Sequence, residues 1–149
     1  MATKKNIDFK VGGIGRILAE KNLSVPLYQR PYAWEIKHVK DFLTDLKASI
    51  TEKAEEYFLG TIVILDDEKQ REVVDGQQRL ATTMILIAAI RDYFEEEGDS
   101  ERAADVEKEY LLAKDFRTRE TLPNLKLGTV DHDFFLKYVL NYQSASDRK

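Results

Sequence analysis

The sequence predicts an α+β domain, and three observations carry that expectation. A β-branched, apolar run from Tyr57 to Leu65 is followed, across the polar turn Asp66-Asp-Glu-Lys69, by the strand-like Arg71-Glu-Val-Val-Asp75. From Trp34 to about Lys53, apolar residues recur at spacings of three and four. A segment of helix length, roughly Gln77 to Glu96, has a centre at Met84-Ile-Leu-Ile-Ala-Ala-Ile90 that is apolar on every side. Two paired strands beside one amphipathic and one buried helix call for a small sheet packed against several helices.

The elements follow in order. Val11, Ile14, Ile17 and Leu18 have helical spacing and predict a short first helix that Asn22 ends. In Leu23-Ser-Val-Pro-Leu-Tyr-Gln-Arg-Pro-Tyr32 the prolines at 26 and 31 bias Val25 and Arg30 to extended geometry, which predicts an irregular edge strand or an ordered loop. Ile36, Val39, Phe42, Leu43, Leu46 and Ile50 form the stripe of the amphipathic helix. Gly76 separates the second strand of the pair from the buried helix. After the acidic break Glu95–Ser100, Ala103, Val106, Tyr110 and Ala113 mark a further helix that Asp99 or Ser100 can cap. Leu122-Pro-Asn-Leu-Lys-Leu127 reads as a short strand, Asp131 to Leu140 as a capped closing helix, and Ser144–Lys149 as a polar tail.

Composition removes several chemistries. The chain has 149 residues, 43% of them hydrophobic, enough for one packed core, and its 23 Lys and Arg against 27 Asp and Glu give a formal charge of −4. That balance gives no general attraction to nucleic acid, although a local basic face remains available. With no Cys there is no thiolate nucleophile, disulfide frame or Cys-ligated metal, and two His cannot build an all-imidazole site. No apolar run reaches the ~18 residues of a membrane span, and the polar opening Met1–Asn6 lacks a signal-peptide core, so the expected address is cytoplasmic.

Two segments concentrate functional side chains. In Val73-Val-Asp-Gly-Gln-Gln-Arg-Leu80, a strand passes through one glycine into the first turn of a helix. The unpaired amides of Gln77, Gln78 and Arg79, the positive end of the helix dipole and the Arg79 guanidinium together suit a phosphate, while Asp75 suits Mg2+ or a water. The plainer alternative makes Asp75 an N-cap and leaves the Gln and Arg residues solvated. The second segment, Val25 to Trp34, gathers Tyr28, Gln29, Arg30, Tyr32 and Trp34 on a proline-stiffened stretch that can stack a base and bind a phosphate. Here the alternative is core or rim aromatics and a structural ion pair for Arg30. Gly12-Gly-Ile-Gly-Arg16 lacks a preceding strand and the full Walker pattern and reads as a turn. Asp131-His132-Asp133 fits a helix cap better than a metal site, and His38 reads as solvated on an exposed helix face.

Together, VPLYQRPYAW, YFLGTIVIL and VVDGQQRLATTMILIAAI, in this order, resemble the N-terminal domain of GmrSD-type modification-dependent restriction endonucleases and related phage-defence proteins. The likeness is densest from Ile14 to Ile90 and continues through LPNLKLGTVDHDFFLKYVL; Ala81 departs from the usual RLTTL continuation, after the polar motif. The resemblance implies a ParB- and sulfiredoxin-like fold, with a small mixed or antiparallel sheet, forming a single domain over residues 1–149 at the N-terminus of a longer protein. It further implies a Mg2+-dependent hydrolase of nucleoside triphosphate, coupled to cleavage of DNA, itself modified, by a separate C-terminal HNH-type nuclease domain. Carried over by residue, Asp75, Gln77, Gln78 and Arg79 are catalytic, Asp75 holds the metal, and Tyr28, Gln29, Arg30, Gly76 and Arg79 bind nucleotide. Two other functions compete. One is a non-enzymatic DNA-recognition module using Arg16, Lys21, Arg30, Lys37 and Lys40 as a basic face; the other is a ParB-like nuclease acting directly on DNA through carboxylates such as Asp75. Homo-oligomer formation is left open by the sequence.

Overall fold

The computed structural model describes residues 8–66 and 70–142. They form five α-helices, two π-helical turns, a four-stranded mixed sheet and a two-stranded antiparallel one, so the α+β class holds. The opening Met1–Asn6, the turn residues Asp67–Lys69 and the tail Ser144–Lys149 lie outside the described residues.

Helix α1 (Ile14–Ala19) leads through Lys21 and Asn22, both at positive φ, into β1 (Leu23–Ser24). Of the two readings of Leu23–Tyr32, the edge strand is corrected, since β1 is an inner strand parallel to both its neighbours, β3 (Arg71–Asp75) and β6 (Leu125–Lys126), and the loop holds for Val25–Tyr32. Pairing ends before Pro26, with Val25 N–H donating to the Lys126 carbonyl at 2.8 Å, so neither proline meets a ladder position. The other neighbour of β3 is β2 (Val63–Asp66), antiparallel to it as expected, and the sheet order is β2-β3-β1-β6. β2 is shorter than the apolar run that announced it. Tyr57–Ile62 is irregular because Gly60, at φ +112°, and Thr61 pass over the start of helix α3 (Gln77–Glu96).

Helix α3 has the bounds its sequence predicts. Leu80, Ala81, Met84 and Ala88 bury against Leu18, Leu23, Val73, Leu111, Leu125 and Phe135, forming the core. The expectation that it is buried all round is corrected: Ile85, Ile90 and Tyr93 face outward. Helix α2 (Ile36–Thr51) buries only Phe42 of its apolar stripe.

Asp99 caps α4 (Ser100–Val106), its carboxylate accepting from Arg102 N–H at 3.1 Å. The helix read onward to Ala113 does not continue. It loosens into a π-helical turn (Glu107–Leu111) and Ala113 enters β4 (Leu112–Lys114), paired with β5 (Thr121–Pro123). The single strand expected at Leu122–Leu127 is therefore β5 and β6, divided by buried Asn124, whose side-chain amide donates to the carbonyls of Leu18 and Glu109. Helix α5 (Thr129–Phe135), continued by a π-helical turn (Leu136–Leu140), begins after Gly128, so Asp131 lies inside it and is not its cap. No helix among the described residues is long and apolar enough to cross a membrane.

Candidate functional site

The two motif segments meet at the start of α3. Register in the β2–β3 pair slips between Val63 and Ile64, which face Asp75 and Val73, leaving Val74 as the extra residue of a bulge. The freed Val74 carbonyl accepts from Gln29 Nε2 at 3.3 Å. Gln29 Oε1 in turn accepts from Gln77 Nε2 at 3.3 Å, so one glutamine of each motif touches the other.

Gln78 fastens the loop more firmly. It is 7% exposed; its Oε1 accepts from Ala33 N–H at 2.7 Å and its Nε2 donates to the Pro31 carbonyl at 3.2 Å. Two further bonds hold Tyr32: its backbone N–H donates to Asp131 Oδ2 at 2.6 Å, and its hydroxyl bonds Thr82 Oγ1 at 2.9 Å. The proline-stiffened loop is thus tied to α3 by Gln78 and Thr82 and to α5 by Asp131.

Beneath the loop lies a pocket of about 170 Å3 with apolar walls from Val25, Leu27, Ala81 and Leu127 and polar groups from Gln29, Arg30, Gln77, Gln78 and Asp131. Of the expected site residues, the pocket gathers Gln29, Arg30, Gln77 and Gln78. Tyr28, Asp75, Gly76 and Arg79 lie outside its lining. Tyr28 is exposed on the loop, and Asp75 ends β3 with its side chain exposed. The N-cap of α3 is Gly76, not Asp75, and the first amides of the helix have no side-chain cap. Gly76 is at φ +86°, and a Cβ there would stand 2.9 Å from Ile62 Cγ1 and 3.1 Å from the Thr61 carbonyl oxygen. Glycine is required here by backbone conformation and by the crossing 60–62 segment. Arg79 lies against the same segment: Nη1 donates to the Thr61 carbonyl at 3.3 Å, and a Cβ on Gly60 would come within 2.8 Å of its Cζ.

Sequence reasoning missed Asp131 as a pocket residue. It was weighed only as a cap or metal ligand, and its bond to Tyr32 spans 99 positions, so no local signal announces it. His132 beside it has a buried Nδ1 without a hydrogen-bond partner among the described residues, and burial, with a smaller contribution from Lys126, holds its pKa below the ordinary value against the opposing pull of Asp133. Among the described residues no group of three or more His, Asp and Glu side chains is placed to hold a metal ion, at Asp131–Asp133 or elsewhere. His38, though exposed, has a structural partner: its Nδ1 accepts from Glu35 N–H at 3.0 Å in the capping box of α2, and its ring stacks on Trp34. The basic face drawn from Arg16, Lys21, Arg30, Lys37 and Lys40 is spread over α1, its exit, the loop and α2, and Arg16 pairs with Glu20.

No curated protein matches the chain. The family model described as GmrSD restriction endonuclease, N-terminal domain, matches residues 14–149, and so takes in the loop, the start of α3 and Asp131. The chain belongs to the GmrSD N-terminal domain family and is a component of a restriction system.

Proposed function

We propose that the domain binds and hydrolyses a Mg2+–nucleoside triphosphate where its two motifs meet, and that this reaction governs DNA cleavage by a separate HNH-type nuclease domain. The observation that carries the reading is the contact between the motifs: Gln77 bonds Gln29 and Gln78 bonds the Ala33 and Pro31 backbone, beside a pocket that Arg30 also lines. At about 170 Å3 the pocket is smaller than the 300–1,000 Å3 usual for a whole small-molecule ligand, which suits one moiety of a nucleotide with the remainder lying toward solvent.

Within this reading Arg30 and Arg79 serve the phosphates, alongside the uncapped amides at the start of α3. Gln77 and Gln29 serve the ribose or the attacking water, and exposed Tyr28 offers a face for the base. The Asp75 carboxylate makes no hydrogen bond or ion pair among the described residues. One carboxylate completed by phosphate oxygens and water is a donor set that fits Mg2+, which when bound neutralises charge developing on the phosphates. Gln78, with both ends of its amide engaged by the loop, acts as a positioning residue.

Calorimetric titration with each nucleoside triphosphate and Mg2+ tests this. Binding by the parent, weakened about tenfold or more in Arg30→Ala and in Arg79→Ala, is the expected result. A folded domain that binds no triphosphate, or whose affinity and turnover are untouched by Arg30→Ala, Arg79→Ala and Asp75→Ala alike, overturns it.

A further inference from the structure

The hairpin formed by β4 and β5 lies outside both motifs and carries the features of a contact surface. Its tip, Asp115–Glu120, is rigidly built. Asp115 Oδ1 accepts from the backbone N–H of Arg117 at 2.7 Å and of Thr118 at 2.8 Å. Asp115 N–H donates to the Glu120 carbonyl at 2.8 Å and Arg119 N–H to the Asp115 carbonyl at 2.9 Å, while Arg119 is held at φ +64°. The Thr118 and Arg117 amides also hold the Asp115 carboxyl below its usual pKa.

The turn displays an aromatic ring among three cations, Lys114, Arg117 and Arg119, with the carboxylate Asp115 between them in sequence and Glu120 directly after them. Phe116 is 87% exposed, with the Arg119 guanidinium over its ring at 5.8 Å, and Lys114 and Arg117 are exposed beside it. Among the described residues none of these three cations has a carboxylate oxygen within 4 Å. Of the two nearby carboxylates, Asp115 is engaged by the turn amides. Cations around a projecting aromatic suit a polyanion with stackable planar groups: the arginines and the lysine take phosphates, and the ring takes a sugar or base edge.

We propose that the tip of this hairpin, Lys114, Phe116, Arg117 and Arg119, is a contact surface for duplex DNA. The proposal rests on the reading of the domain as DNA-directed, and it is independent of the nucleotide pocket, none of whose lining residues belongs to the hairpin.

The test is fluorescence anisotropy of a labelled DNA duplex across a range of salt concentrations, on the parent, Phe116→Ala, Arg117→Ala/Arg119→Ala and the triple variant, each with its circular dichroism and nucleotide titration. The double Arg variant should flatten the dependence of log K on log salt by about two phosphate contacts, roughly 0.9 each. Phe116→Ala should weaken binding with the salt slope unchanged, because its contact is not ionic. No duplex binding by the parent, parental affinity and slope in the triple variant, or tighter binding of single-stranded RNA than of duplex DNA each overturns the proposal. Nucleotide binding retained without duplex binding sinks the hairpin and leaves the pocket standing; duplex binding through the hairpin without nucleotide binding sinks the pocket alone.

Discussion

Single side chains at the loop can be tested one bond at a time. Gln78→Ala removes both bonds to the loop backbone and leaves Ala33 N–H and the Pro31 carbonyl to find water, a loss of about 1–3 kcal/mol. Tyr32→Phe removes only the bond to Thr82, whose hydroxyl still donates to the Gln78 carbonyl, so it should cost about 1 kcal/mol or less. Urea unfolding read by Trp34 fluorescence ranks the two, and equal costs would mean that Gln78 is no clamp. His132 gives the pH dependence. Its folded pKa lies below the unfolded value of 6.5 because of burial, so the unfolded chain takes the proton first. The stability contributed by neutral His132 is full above 6.5 and is lost as pH falls through that value toward the folded pKa. His132→Gln should therefore show a smaller fall in melting temperature than the parent between about pH 7 and about pH 5; parallel curves would remove His132 as the cause.

At the scale of elements, the ends of α3 are held by different devices. At its start the constraint is Gly76, and Gly76→Ala should cost about 1–3 kcal/mol because it adds positive-φ strain to contact with Ile62 and Thr61. Toward its end the constraint is Arg91, which is 2% exposed. It bonds Asp92, donates to Glu107 at 2.7 Å and to the Val139 carbonyl at 3.0 Å, and also reaches the Leu140 carbonyl. The last carbonyls of the closing helix have no helical partner of their own, so Arg91 caps that helix from within the core. Arg91→Met leaves these carbonyls without the guanidinium and takes it from Asp92 and Glu107, at a cost of about 3–5 kcal/mol by denaturant melt, and Arg91→Lys, lacking the fork, should not restore it. Such ties explain which parts were legible in the sequence. The bounds of helix α3 and the antiparallel pairing of β2 with β3 were legible in local apolar runs, but the start of β2 at Val63 and the outward faces of Ile85, Ile90 and Tyr93 were not. The inner position of β1 and the use of Asp131 by Tyr32 depend on partners far along the chain, Leu125 for Leu23 and Tyr32 for Asp131, while the switch of Ala113 from helix to strand follows from its pairing with Leu122 across one hairpin. Both polar motifs of the candidate site were visible as residue types in a stiffened or helix-opening context. Their mutual contact was not, because the bulge at Val74 that frees a carbonyl for Gln29 leaves no mark on its own segment.

Across the whole molecule, burial is unevenly shared, and this predicts where the structure opens first. Helix α3 has nine buried residues, whereas the 16-residue α2 has one, Phe42, with Ile36 75%, Leu43 41% and Ile50 70% exposed. An amphipathic helix without a closed apolar face loses the packing that chiefly stabilises helices in proteins, and 16 residues is marginal for a helix left to itself. What ties α2 down is its first turn: the Glu35–His38 capping box, the edge-on contact of Trp34 with Phe42, and, just before them, Gln78 holding Ala33. Native-state hydrogen exchange should therefore find α2 amides opening at a free energy about 2 kcal/mol or more below those of α3, with the Ile50 end freest. Because the first turn is joined to the loop over the pocket, Gln78→Ala should lower the protection of α2 and leave the Leu80–Ala88 stretch of α3 at the global value of that variant. Uniform protection across α2 and α3 in the parent would instead mean that the two helices unfold as one unit, with the loop ties as strong as the core.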